Sequence, residues 1–180
     1  MEEEFVIEEE FVIEDDEEKV HPFFILLEYI YKTPCIEKGY KLEEAFEKLL
    51  VQYGISYVRN PNGTQKAPDF LVDGIWKVEL KSSSSNKIFL NDGFFVDDCI
   101  YILYTHLNYP IIALGKYLYD KEEKERYLEY KKDLEVLREK YKKAGERLIL
   151  YPRSANQYDL RLYRKDHLFG ILKNDLIGCL

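Results

Sequence analysis

The sequence predicts an α/β fold, a mixed β-sheet flanked by α-helices, in a chain of 180 residues. Three observations carry that expectation. Lys41 to Gly54 (KLEEAFEKLLVQYG) has the apolar spacing of an amphipathic helix, with Leu42, Phe46, Leu49, Leu50 and Tyr53 on one stripe. Two runs, Asp69 to Val72 and Ile75 to Lys81, read as strands joined around Asp73-Gly74. Cys99 to Tyr104 (CIYILY) is short, apolar and β-prone, as a core strand should be.

The remaining elements follow in chain order. Val20 to Tyr31 (VHPFFILLEYIY) is an apolar run expected as a buried helix that starts at Pro22, where a missing N–H does no harm. Thr33-Pro34 interrupts it. The amphipathic helix then closes at Gly54, a residue suited to a C-terminal cap. Ile55 to Arg59 is expected as a short strand, and Asn60-Pro61-Asn62-Gly63 as a turn. Ser82 to Asn86 reads as a polar loop, and Pro110 to Leu114 as a further strand. Lys116 to Ala144 has sparse apolar positions in a charged background and is expected as a long helix ending at Gly145. Leu148 to Leu150 and Tyr158 to Tyr163 are expected as edge strands.

Composition narrows the class. Hydrophobic residues are 46% and charged residues 33%, which suits a folded globular domain rather than a disordered chain. No apolar run approaches the ~18 residues of a membrane helix. The acidic start, MEEEFVIEEE, is unlike the basic start of a targeting peptide. Three cysteines, Cys35, Cys99 and Cys179, are widely spaced without a CxxC pair, so a disulfide scaffold or zinc ribbon is not expected and a reducing, cytoplasmic setting is. Three histidines are too few for a histidine-rich metal site.

The net charge of -8 is unevenly spread. Eleven of the 34 acidic residues fall in residues 1–18, leaving 23 against 26 Lys and Arg. Residues 2–7 and 8–13 are a perfect duplication of EEEFVI, followed by EDDEE. So dense a block of like charge is expected to stay solvated as a flexible tail, with docking of its Phe-Val-Ile triplets as the alternative. Residues 19–180 then form one domain of slightly basic character.

The chemistry is concentrated in residues 67–85, APDFLVDGIWKVELKSSSS. On a strand, side chains alternate, so Trp76, Val78 and Leu80 share the core side while Ile75, Lys77, Glu79 and Lys81 share the other. The facing of Asp69 depends on the turn. A three-residue loop, Val72-Asp73-Gly74, would pair Leu71 with Ile75 and Asp69 with Lys77, bringing Asp69 onto the face of Glu79 and Lys81. A strict two-residue loop would turn Asp69 away. The three-residue form, or an equivalent kink at Pro68-Asp69, is the expectation. Two adjacent carboxylates repel and gain most from a hard cation such as Mg²⁺, which takes one or two carboxylates together with water and a substrate phosphate. With Lys81 beside them, the chemistry this suits is phosphodiester hydrolysis.

Pro68-Asp69, followed after a hairpin by Glu79-Leu80-Lys81, resembles the PD-(D/E)XK nuclease signature, most closely that of type II restriction endonucleases. The resemblance covers roughly residues 39–104, from the helix GYKLEEAFEKLL through KSSSSNKIFLNDGFF to CIYILY. It implies a restriction-endonuclease-like catalytic core over about 39–114, with DNA recognition and dimerisation in about 115–180. It also implies Asp69 and Glu79 as metal ligands for Mg²⁺ (Mn²⁺ substituting), Lys81 as the catalytic lysine, and a further acid from the helix. Glu43 is the first choice for that acid because it precedes the Leu49-Leu50 pair by six residues. Glu47, one turn on, is the second, and Glu44 lies further toward solvent.

Cutting both strands of double-stranded DNA calls for a homodimer with two-fold symmetry, and the long helix is the candidate dimer element. Arg138, Lys140, Lys142, Lys143 and Arg147 form a basic run suited to phosphates. Arg153, Asn156, Gln157 and Arg161 supply the side chains that pair bidentately with guanine and adenine, so residues 153–161 are the expected recognition segment, a solvated surface loop being the alternative. Ser82, Ser83, Asn86 and Lys87, directly after Lys81, and Asn91-Asp92 are further candidates for DNA contact. His106 and His167 are expected to be structural or solvent-facing rather than catalytic. There is no Ser/His/Asp or Cys/His nucleophile arrangement and no Gly-rich phosphate loop.

Overall fold

The computed structural model describes residues 20–33, 40–63, 66–91, 93–105, 110–142 and 155–177. The acidic tail, the strand expected at 148–150, Asp92, His106, Lys143, Arg147 and Arg153 lie outside the described residues.

Four helices and seven strands occur in the described residues: α1 (Pro22–Lys32), α2 (Tyr40–Gln52), β1 (Tyr57–Arg59), β2 (Phe70–Val72), β3 (Trp76–Ser82), β4 (Lys87–Asn91), β5 (Cys99–Tyr104), β6 (Ile111–Leu114), α3 (Lys121–Tyr141), β7 (Ala155–Asp159) and α4 (Lys165–Ile177). Five strands form a mixed sheet in the order β1-β2-β3-β5-β6, and β4 pairs with β7 in a separate ribbon. Only β3 and β5 run parallel; the other neighbours are antiparallel. Parallel neighbours need a crossover of a dozen or more residues, usually a helix. Here the crossover carries β4 instead.

Two apolar layers enclose the sheet. On one face Phe23, Leu26 and Leu27 of α1, Leu42, Phe46 and Leu50 of α2, and Phe169, Leu172 and Leu176 of α4 meet Trp76, Val78, Leu80, Ile100 and Ile102. On the other, Ile88 and Leu90 of β4, Tyr158 of β7, Phe95 and Leu118 cover Cys99, Tyr101 and Leu103. On the face of β3 opposite Trp76, Val78 and Leu80, Glu79 is buried while Lys77 and Lys81 keep contact with water. CIYILY is apolar along its whole length because both its faces are covered.

Several expectations are corrected in detail. The β2–β3 loop is Asp73-Gly74-Ile75, pairing Val72 with Trp76 and Leu71 with Lys77, two residues from the expected register. Asp73 and Gly74 both have positive φ, at 48° and 69°, and Ile75 N–H donates to the Val72 carbonyl. Such a turn matches strand twist and suits an Asp-Gly pair. A shift of two preserves facing, so Asp69 still falls on the side of Glu79. The long helix begins at Lys121, not Lys116, after a 3-10 turn over Gly115–Tyr117. Asp120 and Glu123 form a reciprocal capping box, both bonds 2.8 Å, which sets that start. Tyr158 to Tyr163 is not one strand: β7 stops at Asp159, whose side chain caps a 3-10 turn over Leu160–Leu162. Helix α4 carries no strong amphipathic signal, with Gly170 at its centre; it buries Leu168, Phe169, Leu172 and Leu176, and Phe169 stacks on Tyr31, ring centroids 4.2 Å apart.

Candidate active site

The splayed end of the β2–β3 hairpin is where the candidate residues meet. Asp69 stands one residue before β2, after the cis Ala67–Pro68 bond. Continuing the register from Phe70–Val78 sets it opposite Glu79. Its carboxylate oxygen Oδ2 accepts the backbone N–H of Leu80 at 2.8 Å, which locks it against β3. Lys81 donates from Nζ to Oε1 of Glu79. The other oxygen, Oε2 of Glu79, is buried and has no hydrogen-bond partner.

An unpartnered buried carboxylate oxygen is costly, because a charged acceptor has lost its water without replacement. Glu79 is 5% exposed and pairs with Tyr101 of β5. Burial pushes its carboxyl above the usual range, more strongly than Lys81 pulls it down, and the Asp69 carboxylate pushes the same way. Burial also raises Asp69, against the Leu80 N–H, with Glu43 repelling it and Lys81 and Arg59 attracting it. For Lys81, burial favours the neutral amine, yet Glu79, Asp69 and Glu43 together hold its pKa above the ordinary value. The site is thus a strained pair of acids beside a firmly charged ammonium. Such a donor set suits a hard divalent cation, which would satisfy Oε2 and offset the repulsion.

Glu43 is drawn into the same electrostatic neighbourhood as Asp69 and Lys81. Its carboxylate is held by Arg59, with Nη2 to Oε2 at 2.8 Å. Arg59 Nη1 holds Glu47 at 2.9 Å, and the Tyr57 hydroxyl donates to Glu47 at 2.9 Å. Arg59 is the residue the sequence reading missed. A signal was there: Ile55, Tyr57 and Arg59 alternate onto one side, so a cation sits among residues that seek the core and needs carboxylates to accompany it. Among the described residues, no group of three or more His, Cys, Asp and Glu gathers that could hold a metal ion.

The nominated DNA contacts fall into two groups. Ser82, Ser83, Asn86, Lys87 and Asn91 lead from the end of β3 into β4, while Asn156 and Gln157 lie on β7. The β4–β7 ribbon brings them together, pairing Lys87 with Asp159, Phe89 with Gln157 and Leu90 with Asn156. Phe89 and Gln157 are exposed; Ile88, Leu90 and Tyr158 turn into the core. The serine loop is built by local bonds: Ser83 Oγ lies 3.1 Å from Ser85 Oγ and accepts the Ser85 N–H at 3.2 Å. Asn86 Oδ1 is buried without a partner, while its carbonyl accepts from Leu160 at 2.8 Å.

Arg161 does not stand ready for a base edge. It grips Asp159 through Nε and Nη2, at 3.0 and 2.5 Å, and that guanidinium holds the Asp159 carboxyl down at about 2. The basic run at the end of α3 is likewise tempered by ion pairs, Arg138 with Glu135 and Lys142 with Glu139. His167 is exposed on α4.

The chain matches no protein-family model, no curated protein and no solved structure. None of the described helices is long and apolar enough to cross a membrane.

Proposed function

We propose that the chain is a Mg²⁺-dependent endonuclease with a restriction-endonuclease-like core, hydrolysing double-stranded DNA at a specific short sequence as a homodimer. The observation that carries this reading is half-buried Asp69 opposite buried Glu79, beside Lys81, with Glu79 Oε2 unpartnered. The donor chemistry fits a hard cation. When bound, Mg²⁺ would supply neutralisation of phosphate charge and acidify an adjacent water. Asp69 and Glu79 would hold it. Lys81, kept charged by its acidic neighbours, would orient the attacking water and hydrogen-bond a phosphate oxygen as negative charge grows there. Glu43 would add a third negative charge at the edge of the site.

Sequence specificity is supported by the ribbon, which starts six residues after Lys81 and displays Lys87, Phe89 and Gln157. A two-stranded ribbon is of a size to enter the major groove. The homodimer is supported by α3, which leaves Leu128, Val136 and Leu137 exposed.

The test is incubation of the purified chain with long unmethylated duplex DNA and Mg²⁺, beside Glu79→Ala and Lys81→Ala. Discrete fragments absent in both variants bear the reading out. A smear absent in both points to a structure-directed or non-specific nuclease of the same core. No cleavage with Mg²⁺ or Mn²⁺, on modified or unmodified DNA, overturns the enzyme reading in favour of a binding module.

A further inference from the structure

We infer that Arg59 is a positioning residue, which fixes Glu43 beside the Asp69–Glu79 pair and so sets the cation affinity of a site it does not itself enter. This rests on the cation-site reading above. Three observations converge on Arg59. Its two Nη atoms hold carboxylates one helical turn apart on α2, Glu43 at 2.8 Å and Glu47 at 2.9 Å. A guanidinium is a planar fork that can serve two acceptors at once, which an ammonium cannot do with the same geometry. Glu47 is independently anchored by the Tyr57 hydroxyl at 2.9 Å, so Nη1 is pinned and Nη2 aims Glu43.

The backbone ties the same point to the other acid. Arg59 pairs with Phe70, the neighbour of Asp69, and the N–H of Asn60 donates to the Asp69 carbonyl at 2.7 Å. The guanidinium carbon lies 5.9 Å from the Phe70 ring centroid. Glu43 and Asp69 are therefore both referenced to one residue of an edge strand. Without that clamp, repulsion from Asp69 favours rotation of the Glu43 side chain, 28% exposed, into water. Two glutamates sharing one arginine could equally be a mere strut between α2 and β1. The two roles part on whether Arg59 and Glu43 act on cation binding as one unit.

The experiment is titration of the cation-free full chain with Mn²⁺ alone, followed by electron paramagnetic resonance of the free ion, on wild type, Glu43→Gln, Arg59→Met and the double variant. Asp69→Asn serves as the site control, and circular dichroism checks folding. Arg59→Lys replaces Arg59→Met if the latter does not fold. Supporting residues around a metal typically account for a factor of ten to a hundred in affinity, so each single variant is expected to lose on the order of tenfold. The double variant is expected to lose no more than the weaker single one, the signature of residues acting together. Losses that multiply, or an Arg59 variant with wild-type affinity while Glu43→Gln is weakened, overturn the inference and leave the cation site standing. So does an unaffected Glu43→Gln when Asp69→Asn abolishes binding. A wild type that binds no Mn²⁺ overturns the cation-site reading, and this inference with it.

Discussion

The Asp69 carboxylate accepts the backbone N–H of Leu80 across the β2–β3 hairpin at 2.8 Å, binding the first acid of the candidate site to the strand that carries the second. The contact makes the separation of Asp69 from Glu79 a property of sheet register rather than of side-chain rotamers. It also commits only one oxygen of Asp69. On the proposed reading, this fixed spacing is what a bound cation would use.

Binding of Mg²⁺ or Mn²⁺ is expected to raise the melting temperature. At a hundredfold excess over the dissociation constant the stabilisation is about 2.7 kcal/mol, several degrees for a domain of this size. Asp69→Asn and Glu79→Gln should each remove the increment. Differential scanning calorimetry with and without chelator checks this.

The raised pKa of Glu79 sets the sign of a pH effect. In the folded chain the carboxyl takes up its proton at higher pH than when unfolded, so across that window the native state binds more protons and stability falls as pH rises. Glu79→Gln has no such proton to lose. Without cation, wild type should gain on Glu79→Gln as pH is lowered from 7 through the window, at up to about 1.4 kcal/mol per pH unit. Urea denaturation of both proteins across that range measures the difference; a constant gap would contradict it.

Gly115→Ala should destabilise strongly. A Cβ there would lie 1.9 Å from the carbonyl oxygen of Val96 and 2.7 Å from its carbonyl carbon, so backbone must move. Overpacking of this kind costs roughly 1–3 kcal/mol or more. Thermal unfolding should show it, whereas Gly170→Ala, with open space around the added carbon, should be tolerated.

Asp120→Ala removes the N-cap acceptor of α3 and should cost about 1 kcal/mol. Because α3 carries none of Asp69, Glu79 and Lys81, Mn²⁺ affinity should be unchanged. Chemical denaturation paired with the titration separates the two effects.

If the ribbon reads DNA, Lys87→Ala and Gln157→Ala should differ in kind. Loss of a phosphate contact at Lys87 would weaken binding uniformly and reduce the salt slope by about one. Loss of Gln157, exposed opposite Phe89, would relax sequence preference instead. Fluorescence anisotropy on a panel of duplexes at several salt concentrations distinguishes them.

Local patterns were legible where one face decides an element. The stripe Leu42, Phe46, Leu50 specifies α2, and the alternation of Trp76, Val78 and Leu80 specifies the buried side of β3. Helix α4 and strand β4 were not legible. Their apolar residues acquire meaning from distant partners: Phe169 from Tyr31, and Ile88 and Leu90 from the layer over Tyr101. The Asp120 and Glu123 capping signal was present and passed over, which moved the start of α3 by five residues.

Periodicity and turn chemistry act within a few residues, so the mixed α/β class and the prominence of Asp69, Glu79 and Lys81 were legible in the chain. Three features depend on long-range packing. It set the register that places Asp69 across from Glu79, since a hairpin can slip by two without exposing a single core residue. It buried Glu79, setting it beside Tyr101 of the parallel strand β5. And it joined Glu43 to Arg59, sixteen residues apart, because burial of a guanidinium demands whichever carboxylates the packing brings within reach.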